Sequence, residues 1–281
     1  MAWSSGLCAL AISNFLRQHD LVQVLWVTLS PGICRNTPAR RPTHSDSPVR
    51  LQVTPSRPAF SPTLRFENPI AIVGGGTVEA ELLQELARRG VALIGADGGA
   101  DAIGAAGLVP AAIIGDLDSL EDREAWAERT LVLHVPEQIT TDFQKALAAT
   151  EAPLTLALGM TGKRLDHTLA TLSAVLEYAP MRRIVLVDEV DVAAAVVGPI
   201  GFEAEKGERV SLHPLVPVRF ARSSGLLYPL DGLLLEPGGL LGTSNQGKGG
   251  KIRIEPADGV PWLLLLGRER LWDLMAAMNA L

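Results

Sequence analysis

Cysteine is scarce in this chain: Cys8 and Cys34 are its only two, and both lie in the first 35 residues. No disulfide framework and no cysteine-based zinc site can therefore hold the rest of the fold, which suits a cytoplasmic, reducing setting. Aromatic residues make up only 5% of the chain, so Leu, Val, Ile and Ala must fill a core that the 47% hydrophobic content can supply. An excess of positive charge is also missing. The formal net charge is −6, which argues against nucleic acid as a partner, because the phosphates would be repelled. An acidic protein can still take a polyphosphate when a divalent metal stands between the two anions. Long apolar runs are absent beyond the N-terminal region. The most apolar C-terminal stretch, Trp262 to Leu266, is far too short to span a bilayer, and no membrane partner is expected.

The 281 residues can hold one large domain or two ordinary ones. Residues 1–66 differ from the rest. Leu21–Leu29 is apolar enough for a short strand or helix, but Arg35–Pro62 is crowded with Pro, Arg, Ser and Thr and reads as a disordered extension. No basic segment precedes the first apolar run, so a secretory signal is not expected.

From Pro69 onward apolar runs alternate with helical spacing. Strands are predicted at Ile70–Val73, Val91–Ala96, Ala111–Gly115, Leu131–Val135, Leu154–Leu158 and Ile184–Val187. Helices are predicted over Val78–Arg89, Leu120–Arg129, Thr141–Ala149 and Asp166–Tyr178, with Ser119 as a cap for the second and Thr140 or Thr141 for the third. This alternation implies an α/β domain over 67–190, built on a mostly parallel Rossmann-like sheet with helices on both faces. After about Val192 the helical pattern gives way to short strand-like runs punctuated by Gly and Pro. Residues 191–281 are accordingly read as an all-β sandwich domain.

Ligands in open parallel sheets bind beyond the carboxyl ends of the strands, and polar residues of this chain cluster there. Asp97 ends the second strand and Asp116 the third. If the third strand continues, Asp116 and Asp118 point the same way with backbones roughly 6–7 Å apart. Adjacent carboxylates repel and call for a cation or a raised pKa. Mg²⁺ suits such oxygen donors, whereas an Asx-turn leading into the next helix is the plain structural alternative. Gly159 to His167 forms a glycine-bearing loop entering a helix, a place where backbone N–H groups favour anions. Lys163 and Arg164 add positive charge there, and Asp166 is either a ligand group or a dipole-favouring cap. Asp142 and Lys145 share a helix face, as a functional pair or a surface ion pair. Gly74-Gly75-Gly76, with Asp97 about 20 residues on, invites a dinucleotide-binding reading. The third glycine of that fingerprint would fall at Glu79, so a tight turn beside a nucleotide fits better.

Taken in order, these segments resemble the thiamine pyrophosphokinase family. The likeness rests on Ala96-Asp97-Gly98-Gly99-Ala100, Ile114-Gly115-Asp116-Leu117-Asp118-Ser119, Thr141-Asp142-Phe143 with Lys145-Ala146-Leu147, and Gly159 through His167. It continues with Gly225-Leu226-Leu227-Tyr228-Pro229-Leu230 and Gly242-Thr243-Ser244-Asn245. The resemblance implies a homodimer with sites between subunits. Its members transfer the terminal pyrophosphoryl group of ATP to the hydroxyl of thiamine and release AMP. By matching motif, Asp97, Asp116, Asp118 and Asp142 would hold Mg²⁺ and the ATP phosphates. Lys145 and Arg164 would offset phosphate charge, with Gly98, Ser119, Gly162 and His167 on the same side. Asp166 would sit by the nucleotide or the attacking hydroxyl. Gln138, Ser244 and Asn245 match positions that would meet thiamine, and Tyr228 could stack on its cationic ring. Relatives commonly carry an acid where this chain has Ile139. Residues 1–66 have no counterpart in the family. Two other readings compete: an NAD(P)-dependent oxidoreductase, resting on Gly74–Gly76 and Asp97, and a non-catalytic nucleotide- or thiamine-binding regulator.

Overall fold

The structure, a computed structural model, describes residues 63–279. Most of the expected N-terminal extension, including Leu21–Leu29, lies outside the described residues. The described residues belong to one compact unit that runs over Arg57–Leu281.

The α/β half contains β1 (Leu64–Arg65), β2 (Ile70–Val73), α1 (Ala80–Arg88), β3 (Ala92–Ala96), α2 (Gly99–Ala105), β4 (Ala112–Gly115) and α3 (Arg123–Ala127). It continues with β5 (Leu131–His134), α4 (Asp142–Ala149), β6 (Thr150–Glu151), β7 (Thr155–Leu158), α5 (Leu165–Tyr178) and β8 (Ile184–Val187). The β-rich half contains β9 (Asp191–Val196), β10 (Ile200–Pro214), β11 (Val218–Ser224), β12 (Leu234–Leu235), β13 (Gly242–Pro256) and β14 (Trp262–Gly267), and ends in α6 (Leu271–Asn279). Leu64–Arg65 pair in parallel with Thr150–Glu151, beside the main sheet.

One twelve-stranded sheet runs through both halves, in the order β12-β11-β13-β10-β14-β9-β8-β7-β2-β3-β4-β5. From β8 to β5 every neighbour is parallel. From β8 to β12 every neighbour is antiparallel. The expectation of a mostly parallel sheet is therefore corrected: the sheet is mixed. The change of direction comes at Asp188–Val190, where a turn too short for a helical crossover folds β9 back onto β8.

Apart from the edge strand β5, the parallel strands are short and buried, as strands covered on both faces must be. Alternate residues of β2 enter different cores. Ala71 and Val73 pack with Leu83 and Leu86 of α1 and Ile103 of α2. Ile70 and Ile72 pack with Phe143 and Leu147 of α4 and Ala174 and Val175 of α5. The period-two side-chain alternation of a strand thus fixes which helices lie on which face. Helix α1 ends at Gly90, whose φ of +81° an L side chain would resist.

Two further expectations are corrected. The helix predicted over Leu120–Arg129 is only Arg123–Ala127, and its cap is Asp122, which accepts from the Ala125 N–H at 3.2 Å. Ser119 is engaged elsewhere. The β-rich half also carries a helix the sequence reading missed, α6, which buries Leu271, Leu274, Met275 and Met278. Its nine residues are followed closely by the chain end, too short a stretch for periodicity to stand out. Among the described residues, no helix is long and apolar enough to cross a membrane.

Trp262 is the bulkiest fully buried side chain of the β-rich half and meets Phe220 edge-on, with ring centroids 5.3 Å apart. Trp262→Ala is expected to lower unfolding stability by about 3–5 kcal/mol, the usual cost of emptying a large aromatic site. Trp262→Phe should cost much less, since the indole N–H has no hydrogen-bond partner to lose. Urea unfolding curves of the two variants check the order.

Candidate active site

The sheet order places the carboxyl ends of β4, β3, β2, β7 and β8 side by side, and the chain brings a polar group to nearly every one. Asp97 follows β3 with φ +49°, and Leu117 follows β4 with φ +64°. A left-handed aspartate is tolerable, but a left-handed leucine is costly, by roughly 1–2 kcal/mol. Such strain persists only where the surroundings enforce it. Its effect here is to turn the chain sharply after each strand and fold the carboxylates back over the sheet edge. Strand β4 stops at Gly115, so Asp116 and Asp118 converge through a turn and not through strand alternation. The Asp118 N–H donates to Asp116 Oδ1 at 3.4 Å, and the Ser119 N–H to Asp97 Oδ2 at 3.1 Å. Ser119 Oγ donates to Asp118 Oδ1 at 2.9 Å.

The result is a cluster in which oxygens of Asp97, Asp116 and Asp118 all lie within 4.8 Å of one another. Asp97 is 5% exposed, and its Oδ1 is buried without a hydrogen-bond partner. Burial, and then the nearby negative charge of Asp142, push the Asp97 carboxyl above its ordinary value. Asp116 is shifted the other way. Burial opposes its charge, but hydrogen bonds from Lys145 and Gln138 outweigh that and hold it below the usual carboxylate range. An all-oxygen donor set with one orphaned buried oxygen fits a hard divalent cation.

Lys145 is buried, which removes the surface ion-pair alternative. Its Nζ donates to Asp116 Oδ2 at 3.1 Å and to Asp142 Oδ1 at 2.9 Å. Burial alone would depress the ammonium, yet the bonds to Asp142 and Asp116 raise it and keep it charged. Asp142 Oδ1 also lies 3.4 Å from the Asp116 N–H. It therefore stands beside the three-carboxylate cluster, facing Lys145. The placement of both residues follows from one helix start. Thr141 and Gln144 form a capping box that sets the first turn of α4, so Asp142 and Lys145 share a face three residues apart. Gln138, on the loop before α4, donates through Nε2 to Asp116 Oδ2 at 2.8 Å. Ile139 stands almost fully in solvent, at 95% exposure, and the cluster forms without it.

The other predicted groups gather in two separate places. Arg164, Asp166 and His167 lie exposed at the start of α5. Arg164 grips Asp166 with both Nε and Nη2, at 3.1 and 2.6 Å. That pairing, joined by the His167 N–H, lowers Asp166 to about 2. Gly162 takes φ +99° in the open loop before them, and Lys163 Nζ reaches the Gly75 carbonyl at 3.2 Å. Gly98 begins α2 against Ser119, where an added Cβ would lie 2.9 Å from the Ser119 carbonyl. In the β-rich half, Asn245 accepts from the Tyr228 N–H at 3.0 Å and donates to its carbonyl at 2.8 Å. Ser244 takes φ +60°, and its N–H donates to Ser211 Oγ. Among the described residues, no hydrogen bond or ion pair joins this last group to the aspartates.

Sequence reasoning missed the supports behind these residues. The Thr161 hydroxyl donates to Asp188, and the Thr171 hydroxyl to the Met160 carbonyl, so the loop after β7 is tied down from two sides. Glu137 accepts from the Ile139 and Thr140 N–H groups at 2.7 and 3.0 Å and from the Thr140 hydroxyl. These bonds outweigh burial and lower its carboxyl. An acid followed by two or three polar or small steps signals little by itself, because such patterns are common in loops. The glycines at 74–76 have a packing reason. The Gly76 N–H donates to the Gly159 carbonyl at 2.8 Å, and a Cβ at Gly76 would sit 2.5 Å from that oxygen.

Comparison with known proteins points one way. Residues 83–186 match the family model described as thiamin pyrophosphokinase, catalytic domain. Those residues include every aspartate of the cluster, Lys145 and the loop after β7. The chain is 28% identical over 152 residues to Thiamin pyrophosphokinase 1 of Caenorhabditis elegans, a match covering 49% of this chain and 62% of that protein. The chain thus spans somewhat under two thirds of that relative's length. The thiamin pyrophosphokinase structure from Geobacillus thermodenitrificans is 26% identical, with a TM-score of 0.59 over 71% of this chain and 97% of its own. That from Bacillus subtilis is 22% identical and shares the fold, with a TM-score of 0.61 over 71% and 99%. Over the segment that carries the carboxylate cluster, the chain is thus similar to the catalytic domain of thiamin pyrophosphokinases.

Proposed function

We propose that this protein is a Mg²⁺-dependent thiamine pyrophosphokinase that converts ATP and thiamine to AMP and thiamine diphosphate. One observation carries the reading: three strand-end carboxylates converge around an orphaned buried oxygen of Asp97, beside a buried lysine, inside the matched catalytic segment. Asp97, Asp116 and Asp118 would hold the metal, with Asp142 beside them. A bound magnesium ion would offset the negative charge of the ATP phosphates and of the departing AMP.

The chain's own groups position the reactants. The thiamine hydroxyl oxygen forms a bond to the β-phosphorus of ATP, and the bond from that phosphorus to the α–β bridging oxygen breaks. AMP leaves with that oxygen and its electron pair, and the hydroxyl loses its proton. Lys145 keeps Asp116 and Asp142 in place and supplies fixed positive charge near the phosphates. Arg164, His167 and the backbone around Gly162 are suited to the phosphate chain, as are Gly98 and Ser119 at the start of α2 and the β4 turn. While gripped by Arg164, Asp166 is too weak a base to take a proton early. Its role is to orient the hydroxyl or the nucleotide, with proton loss late in the step. Gln138, already on Asp116, is placed to meet thiamine.

The sheet supports an assembly of two copies. Asn245 of β13 and Asp97 after β3 are separated by seven steps of the strand order, roughly 30 Å along the sheet at about 4.8 Å per strand. Thiamine held by Gln138 on one side and by Tyr228, Ser244 and Asn245 on the other is served better by a homodimer, each site drawing on both copies. In that arrangement residues 67–190 form the nucleotide-binding half and residues 191–281 the thiamine-binding half. The sparse cysteine favours a cytoplasmic location. A dinucleotide-binding oxidoreductase is not favoured, since the close backbone contact at Gly159 already accounts for Gly76.

Incubation with ATP, Mg²⁺ and thiamine should yield AMP and thiamine diphosphate, and chromatography showing no AMP at any metal concentration would sink the reading. Asp118→Asn should slow turnover by about tenfold or more, equivalent to about 1.4 kcal/mol of barrier. Mixing Asp118→Asn with Asn245→Ala, each strongly impaired alone, should raise activity to roughly a quarter of the wild-type level if copies exchange and sites are shared. No regain after subunit exchange would place each site within one copy.

The shifts at the cluster also set a pH signature for metal binding. The folded-state pKa of Asp97 is raised by burial and by Asp142, so its protonation favours the fold at low pH, and that contribution is lost as pH rises through the raised value. Asp116 is depressed by its bonds to Lys145 and Gln138, so its stabilising contribution is present above its unfolded pKa and lost only as pH falls through the lowered one. A bound Mg²⁺ would offset the charge on Asp97 and so compete with its proton. The rise in melting temperature on adding Mg²⁺ should therefore grow as pH climbs through the Asp97 pKa. Thermal melts at several pH values measure this, and a Mg²⁺ shift that shrinks with rising pH would contradict it.

A further inference from the structure

Between β5 and α4 the chain makes a closed ring that ends on a site residue. Glu137 Oε2 accepts from the Ile139 N–H at 2.7 Å and from the Thr140 N–H at 3.0 Å, while Oε1 takes the Thr140 hydroxyl. The side chain of one residue thus binds the backbone two and three positions on and encircles Gln138. Gln138 is exposed, and its described hydrogen bond is the 2.8 Å contact from Nε2 to Asp116 Oδ2. A long glutamine side chain at an exposed loop position carries substantial rotamer and backbone freedom, and fixing it costs entropy. The ring settles the backbone part of that cost before substrate arrives. On the far side of the ring the Thr141–Gln144 capping box begins α4 and so aims Asp142 and Lys145. Glu137 therefore sits where one acid can lock the loop that delivers Gln138 to Asp116.

Resting on the pyrophosphokinase reading, we propose that Glu137 is a positioning residue, which acts through Gln138 by holding the 137–140 turn in the conformation that sets Gln138 against Asp116. Glu137 makes no contact with the reacting groups itself. The side chain of Ile139, in solvent at the same turn, contributes its N–H to the ring, so the residue type there is free to vary while the backbone bond is kept.

The test is a double-mutant cycle on the full chain, with steady-state kinetics in thiamine and hydrogen exchange on the substrate-free protein. Glu137→Ala and Gln138→Ala are each expected to lower kcat/KM for thiamine by about tenfold. The double variant should be no more than about twofold below Gln138→Ala, because coupled residues are non-additive. Glu137→Gln should recover most of the loss: its amide oxygen can take the two N–H groups, and the Thr140 hydroxyl can turn to accept from its NH₂. Amides of residues 139 and 140 should exchange faster in Glu137→Ala and remain protected in Gln138→Ala. Additive losses, failure of Glu137→Gln to rescue, or unchanged exchange at residues 139 and 140 would overturn the proposal. Exchange needs no turnover. A wild type that makes no AMP would therefore sink the proposed activity while leaving the ring to be decided by the exchange data alone.

Discussion

Crowded negative charge at one edge of a sheet is the constraint on which the rest of this molecule turns. Carboxylates of Asp97, Asp116 and Asp118 meet within 4.8 Å, and Asp142 stands beside them. In water such groups would move apart, because unlike a salt bridge the assembly gains nothing from ionisation. Here the backbone gives them no freedom to do so. Left-handed turns at Asp97 and Leu117, each pinned by neighbouring strands, fix the carboxylates over the sheet edge. Among the described residues, one buried cation, Lys145, is the counterweight. Its single positive charge is too small for four neighbouring carboxylates, and burial, followed by the charge of Asp142, raises Asp97. The imbalance is the physical reason the donor set suits a hard divalent cation.

That arrangement explains much of the surrounding architecture. The parallel strands are short and apolar because their whole task is to present their ends, with helices covering both faces. The capping box of α4 sets the register of Asp142 and Lys145. Glycines at 74, 76 and 99 let loops cross at backbone distance; a Cβ at Gly99 would fall 1.8 Å from the Val73 carbonyl. That crossing keeps the Gly74 loop hard against the Asp97 turn, so the glycine loops and the aspartates form one continuous edge. Arg268 ties the β-rich half to this edge through a bidentate pair with Glu79 at the start of α1.

Much of this was legible in the chain itself. Ile70–Val73 and Ile184–Val187 are the strands their apolar runs implied, residue for residue, because fully buried strands admit little else. A cap at Thr140 or Thr141 was readable, since a hydroxyl before the first helical residues is a local signal, and Thr141 takes that place with Gln144. Ser119 misled for the same kind of reason. Its hydroxyl suited a cap, but Asp97, distant in sequence, took its N–H, and Asp122 capped the helix instead. The mixed character of the sheet was hidden as well, because strand direction depends on which neighbour a strand finds.

The sequence by itself determined the alternation of buried strands and helices, the acidic residues that end those strands, and the order of motifs that resembles thiamin pyrophosphokinases. These depend on periodicity and residue type, which are local. Only the tertiary structure decided that Lys145 is buried between Asp116 and Asp142, that Asp97 keeps an unpaired oxygen, and that Glu137 rings Gln138. Burial and partnership arise from contacts between segments far apart in the chain. An aspartate pair that reads equally well as a turn or a metal site gains a third carboxylate and a buried ammonium from Asp97 and Lys145, 19 and 29 residues away from Asp116.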